Sequence, residues 1–197
     1  MHPNPAFRAD NADALDRAAA LGFAHVFAAT PAGPMVAHAA LTRHGDTLRF
    51  HVARANRVAA HLDGAALLVS VAGPEGYVSP NWYTRPGDQV PTWNYLAVEV
   101  DGTARAIDEA ALVEHLDALA AGHEPRVNPA APWTRSKMDD AVFRRMLSGI
   151  VGFAVEPAAI RATTKLSQNK PAADRQGVIA GLTASGNRAL AAAMARA

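Results

Sequence analysis

A small antiparallel β-barrel with helices at its edges, mainly β within the α+β class, is the fold that three features of the 197-residue sequence predict. Up to Ala121, strand-like segments outnumber short helical ones, and they are joined mainly by hairpin-type turns and one small helix. Ala65 to Ala72 (AALLVSVA) is a nearly continuous apolar run, as in a strand covered on both faces or a strand of a barrel. This order suits a barrel better than a doubly wound parallel sheet; a sandwich stays open.

The elements follow in order. Asp10 or Asn11 caps a short helix through Ala20, with Gly22 in the usual C-terminal position. Phe23 to Thr30 alternates Phe23, His25 and Phe27 with smaller residues, a strand pattern. Pro31 to Pro34 (PAGP) turns the chain into a second strand from Met35 to about Thr42, and His44 to Asp46 (HGD) turns it into a third, Thr47 to Val52. A short helical stretch begins near Arg57 and stops at Gly64, before the apolar run. GPEG is predicted as a tight turn, and the strand after the aromatic stretch runs from Tyr95 to about Ile107, with a bulge or bend at Gly102.

An amphipathic helix runs from Asp108 to about Ala121 with Ala111, Leu112, His115, Leu116 and Leu119 on one side. His123 to Trp133 is an irregular Pro-rich connection, Met138 to Leu147 a short helix, and IVGFAVEP a strand. After KLSQNK, helices are expected around Arg175 to Leu182 and from Asn187 onward. The whole chain, 1–197, reads as one domain with a C-terminal helical extension from about residue 161.

Composition narrows the function classes. Nineteen Lys and Arg against 18 Asp and Glu give a net charge of +1, which supplies no global electrostatic attraction for nucleic acid or membrane, so any anion must be held locally. With no Cys, disulfides, thiolate metal sites and a Cys nucleophile are excluded. No apolar run reaches the roughly 20 residues that span a bilayer. Pro and acidic residues stand where a signal peptide needs a charged start and an apolar block, which predicts a cytoplasmic protein.

The stretch that organises the rest is Tyr77 to Tyr95, YVSPNWYTRPGDQVPTWNY, which holds Trp82, Trp93 and all three Tyr between two predicted strands, stiffened by Pro80, Pro86 and Pro91. Four patterns stand out: HVARAN (His51 to Asn56), YVSPNWY (Tyr77 to Tyr83), VPTWNY (Val90 to Tyr95) and KLSQNK (Lys165 to Lys170). The first and last place Arg54, Asn56, Lys165, Ser167, Gln168, Asn169 and Lys170 at strand ends or in loops, where donors can converge on a phosphate. The middle two supply Trp82, Tyr83, Trp93 and Tyr95 as rings to pack on a planar ligand. Together they point to a flavin mononucleotide (FMN) site; the competing reading is solvated cations and Trp in a core.

These four strings, in this order and spacing, resemble the PaiB-type family described as FMN-binding negative transcriptional regulators, over about Met1 to Leu182. The family is similar to the FMN-binding split barrels of the pyridoxamine-phosphate-oxidase type, homodimers with two flavin sites at the subunit interface. The resemblance therefore implies an antiparallel FMN-binding split β-barrel, FMN as cofactor and a homodimer. It places His51, Ala53, Arg54 and Asn56 along the flavin and its phosphate, with Ser79, Trp82 and Tyr83 walling the site. Thr92, Trp93, Lys165, Ser167, Gln168 and Asn169 are implied as flavin or interface contacts, and His38 as a further flavin neighbour. Two positions depart from the family: Ala39 and Ala40 follow His38 where it reads His-Leu-Pro-Leu, and Arg57 stands where it has Pro.

Other classes find less in the sequence. His25, His38 and His51 fall on three successive predicted strands, but without a recognised metal-ligand spacing. No nucleophile elbow, Walker-type loop or Rossmann fingerprint is present. No helix-turn-helix is evident, and Arg175, Arg188 and Arg196 on Ala-rich helices read as a solvated face, so a regulatory role is expected to work through flavin state or through a partner, DNA or protein. A flavin-dependent oxidoreductase acting on a small substrate is the alternative. Haem binding would require His38 or His51 as an axial ligand.

Overall fold

The computed structural model describes residues 3–197. The chain forms two compact units that interleave along the sequence: Ala12–Val71 with Glu99–Ile160, and Met1–Asn11 with Ala72–Val98 and Arg161–Ala197. Six strands, β1 (Phe23–Thr30), β2 (Gly33–His44), β3 (Thr47–Ala53), β4 (Ala66–Val78), β5 (Thr92–Ala106) and β6 (Ile150–Lys165), close in the order β1-β2-β3-β6-β5-β4. The last three run from one unit into the other.

In the first unit, alternation along each strand decides which side chains enter the barrel. The β1/β2 hairpin pairs Val26 with Ala37 and Ala28 with Met35, all buried, while His25 faces His38 and Phe27 faces Val36 on the outer side. The β2/β3 hairpin closes at His44 and Thr47 over Gly45, whose φ of 57° is the left-handed conformation a tight two-residue hairpin requires. Phe50 on β3 opposes Phe153 on β6, their rings stacked with centroids 5.5 Å apart in the interior. The ring closes where His25 to Ala28 pair with Ser70 to Leu67. Small interior residues, Ala24, Ala28, Ala37, Ala39 and Ala104, leave room for the two Phe.

Helix α1 (Ala14–Leu21) ends at Gly22, φ 77°, where any Cβ would meet the His123 imidazole. Helix α2 (Glu109–Val127), capped by Asp108, packs Leu112 and His115 onto the barrel, and a Cβ on Gly152 of β6 would strike Leu112. It runs on to Val127, past the expected Ala121, and continues through Pro125 although that residue has no N–H for the ladder; Asn128 still donates to the Glu124 carbonyl. Helix α3 (Asp140–Leu147) begins two residues after the expected Met138, with Asp139 as its cap.

The second unit contains α4 (Ala172–Ala184) and α5 (Arg188–Arg196), which pack Val178, Leu182, Leu190, Ala191 and Met194 around Val78, Tyr83 and Leu166. The expected GPEG turn is instead part of β4. Gly76 is there because α5 comes close: a Cβ would lie 2.5 Å from the Asn187 amide nitrogen, which donates to the Glu75 carbonyl. Strand β6 likewise runs to Lys165, well past the expected Pro157. No helix among the described residues is long and apolar enough to cross a membrane.

Candidate functional site

In the barrel unit the HVARAN motif forms the end of β3 and the turn after it. Ala53 is its last strand residue, and its carbonyl accepts the Asn56 N–H. The Asn56 side-chain oxygen accepts from the Val58 N–H at 3.1 Å, which fixes the turn. Arg54 lies exposed over the start of β6: its Nε donates to the Ser148 carbonyl and Nη2 to the Ile150 carbonyl, both at 3.0 Å. Two of its five N–H donors are thus committed to main chain, which leaves the others for a ligand. Arg57 is exposed.

His51 is half-buried on β3, with Nδ1 2.9 Å from Nε2 of His115. His115 is itself buried on α2, and its Nδ1 lies 2.7 Å from the Thr42 hydroxyl. Burial lowers the pKa of His51. It lowers that of His115 to about 4, helped by the neighbouring charges of His51 and Arg49. His38 stands apart on the outer face of β2, stacked on Phe23 at 6.4 Å and edge-on to His25 at 4.8 Å.

In the other unit, a cavity of about 310 Å³ is lined by Tyr83, Thr92, Lys165, Ser167, Asn169 and Lys170, six of the residues singled out in the sequence, together with Asn94 and Gln89 among others. Lys165 Nζ donates to Thr92 Oγ1 at 2.6 Å and lies over the Phe7 ring, and burial lowers its pKa. Lys170 Nζ sits 4.8 Å from the Tyr83 ring centroid and donates to Gln89. The Tyr83 hydroxyl is pushed upward in pKa by burial and then by Asp174. Ser167 takes φ 58°, a left-handed turn just after β6, and its hydroxyl accepts from the Asn94 side-chain N–H at 2.9 Å.

Asn94 is fully buried, and its Oδ1 has no hydrogen-bond partner. A buried acceptor left unpaired costs free energy that a ligand N–H or O–H would recover. Among the described residues no carboxylate lines the cavity itself; Asp174, outside the lining, is the acid within electrostatic reach of Lys170. Such a donor set fits an anionic ligand that also carries hydroxyl groups, as FMN does with its phosphate and ribityl chain.

The remaining residues of this unit do other things. Ser79 caps the single turn Pro80–Trp82 through its hydroxyl. Trp82 packs beneath α4, where Gly177 and Gly181 leave no room for a Cβ against its backbone and indole. Trp93 points away from the cavity: it is 45% exposed, donates to Glu75 at 2.7 Å and meets Tyr77 edge-to-face. Gln168 is turned onto main chain, accepting from Leu166 N–H and donating to the Ala6 and Thr164 carbonyls. Sequence reasoning passed over Asn94, Thr42 and His115 as site residues. The available signal was that an Asn inside a β-aromatic string, or a His on an apolar helix face, must bury a polar group.

Comparison with known proteins bears on the family and the fold. Residues 1–158 match the family model described as "Putative FMN-binding domain", a match that stops before Lys165. The chain is 36% identical over 113 residues to Protease synthase and sporulation protein PAI 2 of Bacillus subtilis, covering 57% of this chain and 53% of that protein. It is 28% identical over 154 residues to an uncharacterised protein of Aspergillus fumigatus, covering 69% and 59%. The chain thus spans little more than half the length of the curated relatives it matches. Among solved structures, it shares a fold with the FAD and haem binding protein from Mycobacterium smegmatis (TM-score 0.60, 19% identity, covering 91% of this chain and 80% of that one). It also matches the flavocytochrome Anf3 from Azotobacter vinelandii (TM-score 0.62, 17% identity, 84% and 72%).

Proposed function

The chain belongs to the PaiB-type FMN-binding family, with FMN as its cofactor, and from that premise we propose that it works as a homodimeric flavoprotein in a regulatory role. The observation that carries the flavin assignment to particular residues is the carboxylate-free cavity around Lys165 and Lys170. In this reading the two ammonium groups and the Thr92 hydroxyl hold the phosphate, and Asn94 Oδ1 accepts a hydrogen bond from the ligand. His51, Ala53, Arg54 and Asn56 serve as flavin contacts of the barrel unit. Ser79, Trp82 and Gln168 fix the backbone around the cavity, and Trp93 and His38 are contacts at the subunit interface. FMN, when bound, supplies redox chemistry; the protein binds and orients it and sets the hydrogen bonds around it.

The homodimer has support of its own. The outer face of β1 and β2 exposes Phe23 (55%), Phe27 (44%) and Val36 (36%) in a row with His25 and His38 between them, an aromatic-rich face that a second subunit would cover. The regulatory role rests on the name of the Bacillus relative, which ties that protein to protease synthesis and sporulation.

The visible spectrum of the protein after FMN loading and removal of the excess tests the cofactor assignment, and retention of the flavin bands is the expected result. Loss of the bands on desalting, at protein concentrations where the fold is intact, would contradict it. Reduction of the bound flavin by NAD(P)H with turnover of a small acceptor would favour an oxidoreductase over a regulator.

A further inference from the structure

The hydrogen-bonded row Thr42–His115–His51 crosses from β2 through α2 to β3, and its polarity can be worked out from one buried hydroxyl. Thr42 is buried, and among the described residues its side chain has one partner, Nδ1 of His115, at 2.7 Å. If its oxygen only accepted there, its own hydrogen would be buried and unpaired, so Thr42 donates to Nδ1. Neutral His115 then carries its proton on Nε2 and donates it to Nδ1 of His51. Neutral His51 in turn carries its proton on Nε2, the nitrogen with no partner among the described residues.

We propose that Thr42, acting through His115, fixes His51 as a neutral imidazole presenting Nε2–H, a hydrogen-bond donor that reads an acceptor edge, a carbonyl oxygen or unprotonated ring nitrogen, on a planar ligand. A protonated Nε2 has no lone pair for a metal, so the same row keeps His51 from ligating haem iron or another ion. The acceptor-edge half rests on the flavin assignment above; the polarity of the row does not.

The surroundings agree. Protonating His51 at Nδ1 would set its N–H against the His115 N–H and force the whole row to reverse. On β3, Arg49 adds a positive charge near the pair, itself bonded to Glu114 of α2 at 2.9 Å, and β6 presents only Gly152 opposite His51. No carboxylate bonds either imidazole to favour the charged form.

Long-range ¹H–¹⁵N imidazole spectra of the flavin-free protein at neutral pH read the tautomers directly. Both His51 and His115 are expected in the Nε2–H form; a bare Nε2 on His51 would overturn the proposal. His115→Glu puts an acceptor-only carboxylate against His51 Nδ1, so His51 should change to the Nδ1–H form or become charged, and an unchanged His51 spectrum in that variant would also count against it. On adding FMN, the His51 Nε2 proton should shift and exchange more slowly. If the flavin binds by absorbance and that proton does not respond, the acceptor-edge reading falls. If FMN does not bind at all, it is the flavin assignment that fails, and the tautomers still decide the rest.

Discussion

His115 is the residue with the clearest consequence for stability. Its pKa is about 4 in the folded chain against 6.5 for an ordinary His, so between those values the unfolded chain binds a proton that the folded one does not. Stability is therefore fully present above about pH 6.5, is lost as the pH falls towards 4, and changes no further below that on this group's account. The loss amounts to at most about 3 kcal/mol, an upper figure because His51 shares the titration. Denaturant melts across this window check it: the unfolding free energy should drop, and the drop should shrink in His115→Phe. A flat profile in the wild type would mean that the imidazole is not held neutral.

At the scale of elements, the second unit depends on how α5 is tied to β4. Asn187 caps α5 by accepting from the Leu190 N–H and also donates to the Glu75 carbonyl at 2.7 Å, across the position that Gly76 keeps clear. Asn187→Ala removes the cap and one further bond, so it should cost about 1–3 kcal/mol of stability. Thermal or urea unfolding measures this directly, and a change below a few tenths of a kcal/mol would show that α5 is docked by Leu190 and Met194 alone.

The same region shows what could be read from the sequence. Strand β1 was legible to the residue, because Phe23, His25 and Phe27 alternate with small inward residues and both ends carry turn signals. The Gly and Pro of GPEG carried the same local signal as a turn, yet there they serve the close approach of α5, a tertiary cause invisible to a local pattern. Pro125 carried a local stop signal, yet it lies inside α2, which runs on to Val127. In the site, Lys165, Ser167, Asn169, Thr92 and Tyr83 were legible as donors and rings. Asn94 and His115 were not, because their chemistry comes from burial rather than from residue type.

For the molecule as a whole, the proposal of a homodimer predicts where the second copy sits. Phe27→Lys places a charge in the middle of the exposed β1/β2 face and should turn a dimer into a monomer by light scattering at micromolar concentration, with the monomer's secondary structure retained. A dimer that survives this change would locate the interface elsewhere.

The proposed function turns on a cavity lined by two ammonium groups and no carboxylate holding the phosphate of FMN, and the ratio of FMN to riboflavin affinity tests it most directly. The two ligands differ only by that phosphate. FMN should bind on the order of 100-fold more tightly, and Lys170→Ala should reduce the advantage roughly 10-fold or more while leaving riboflavin affinity nearly unchanged. Equal affinity for the two ligands, or a Lys170→Ala variant that weakens both alike, would contradict the assignment of the phosphate to this cavity.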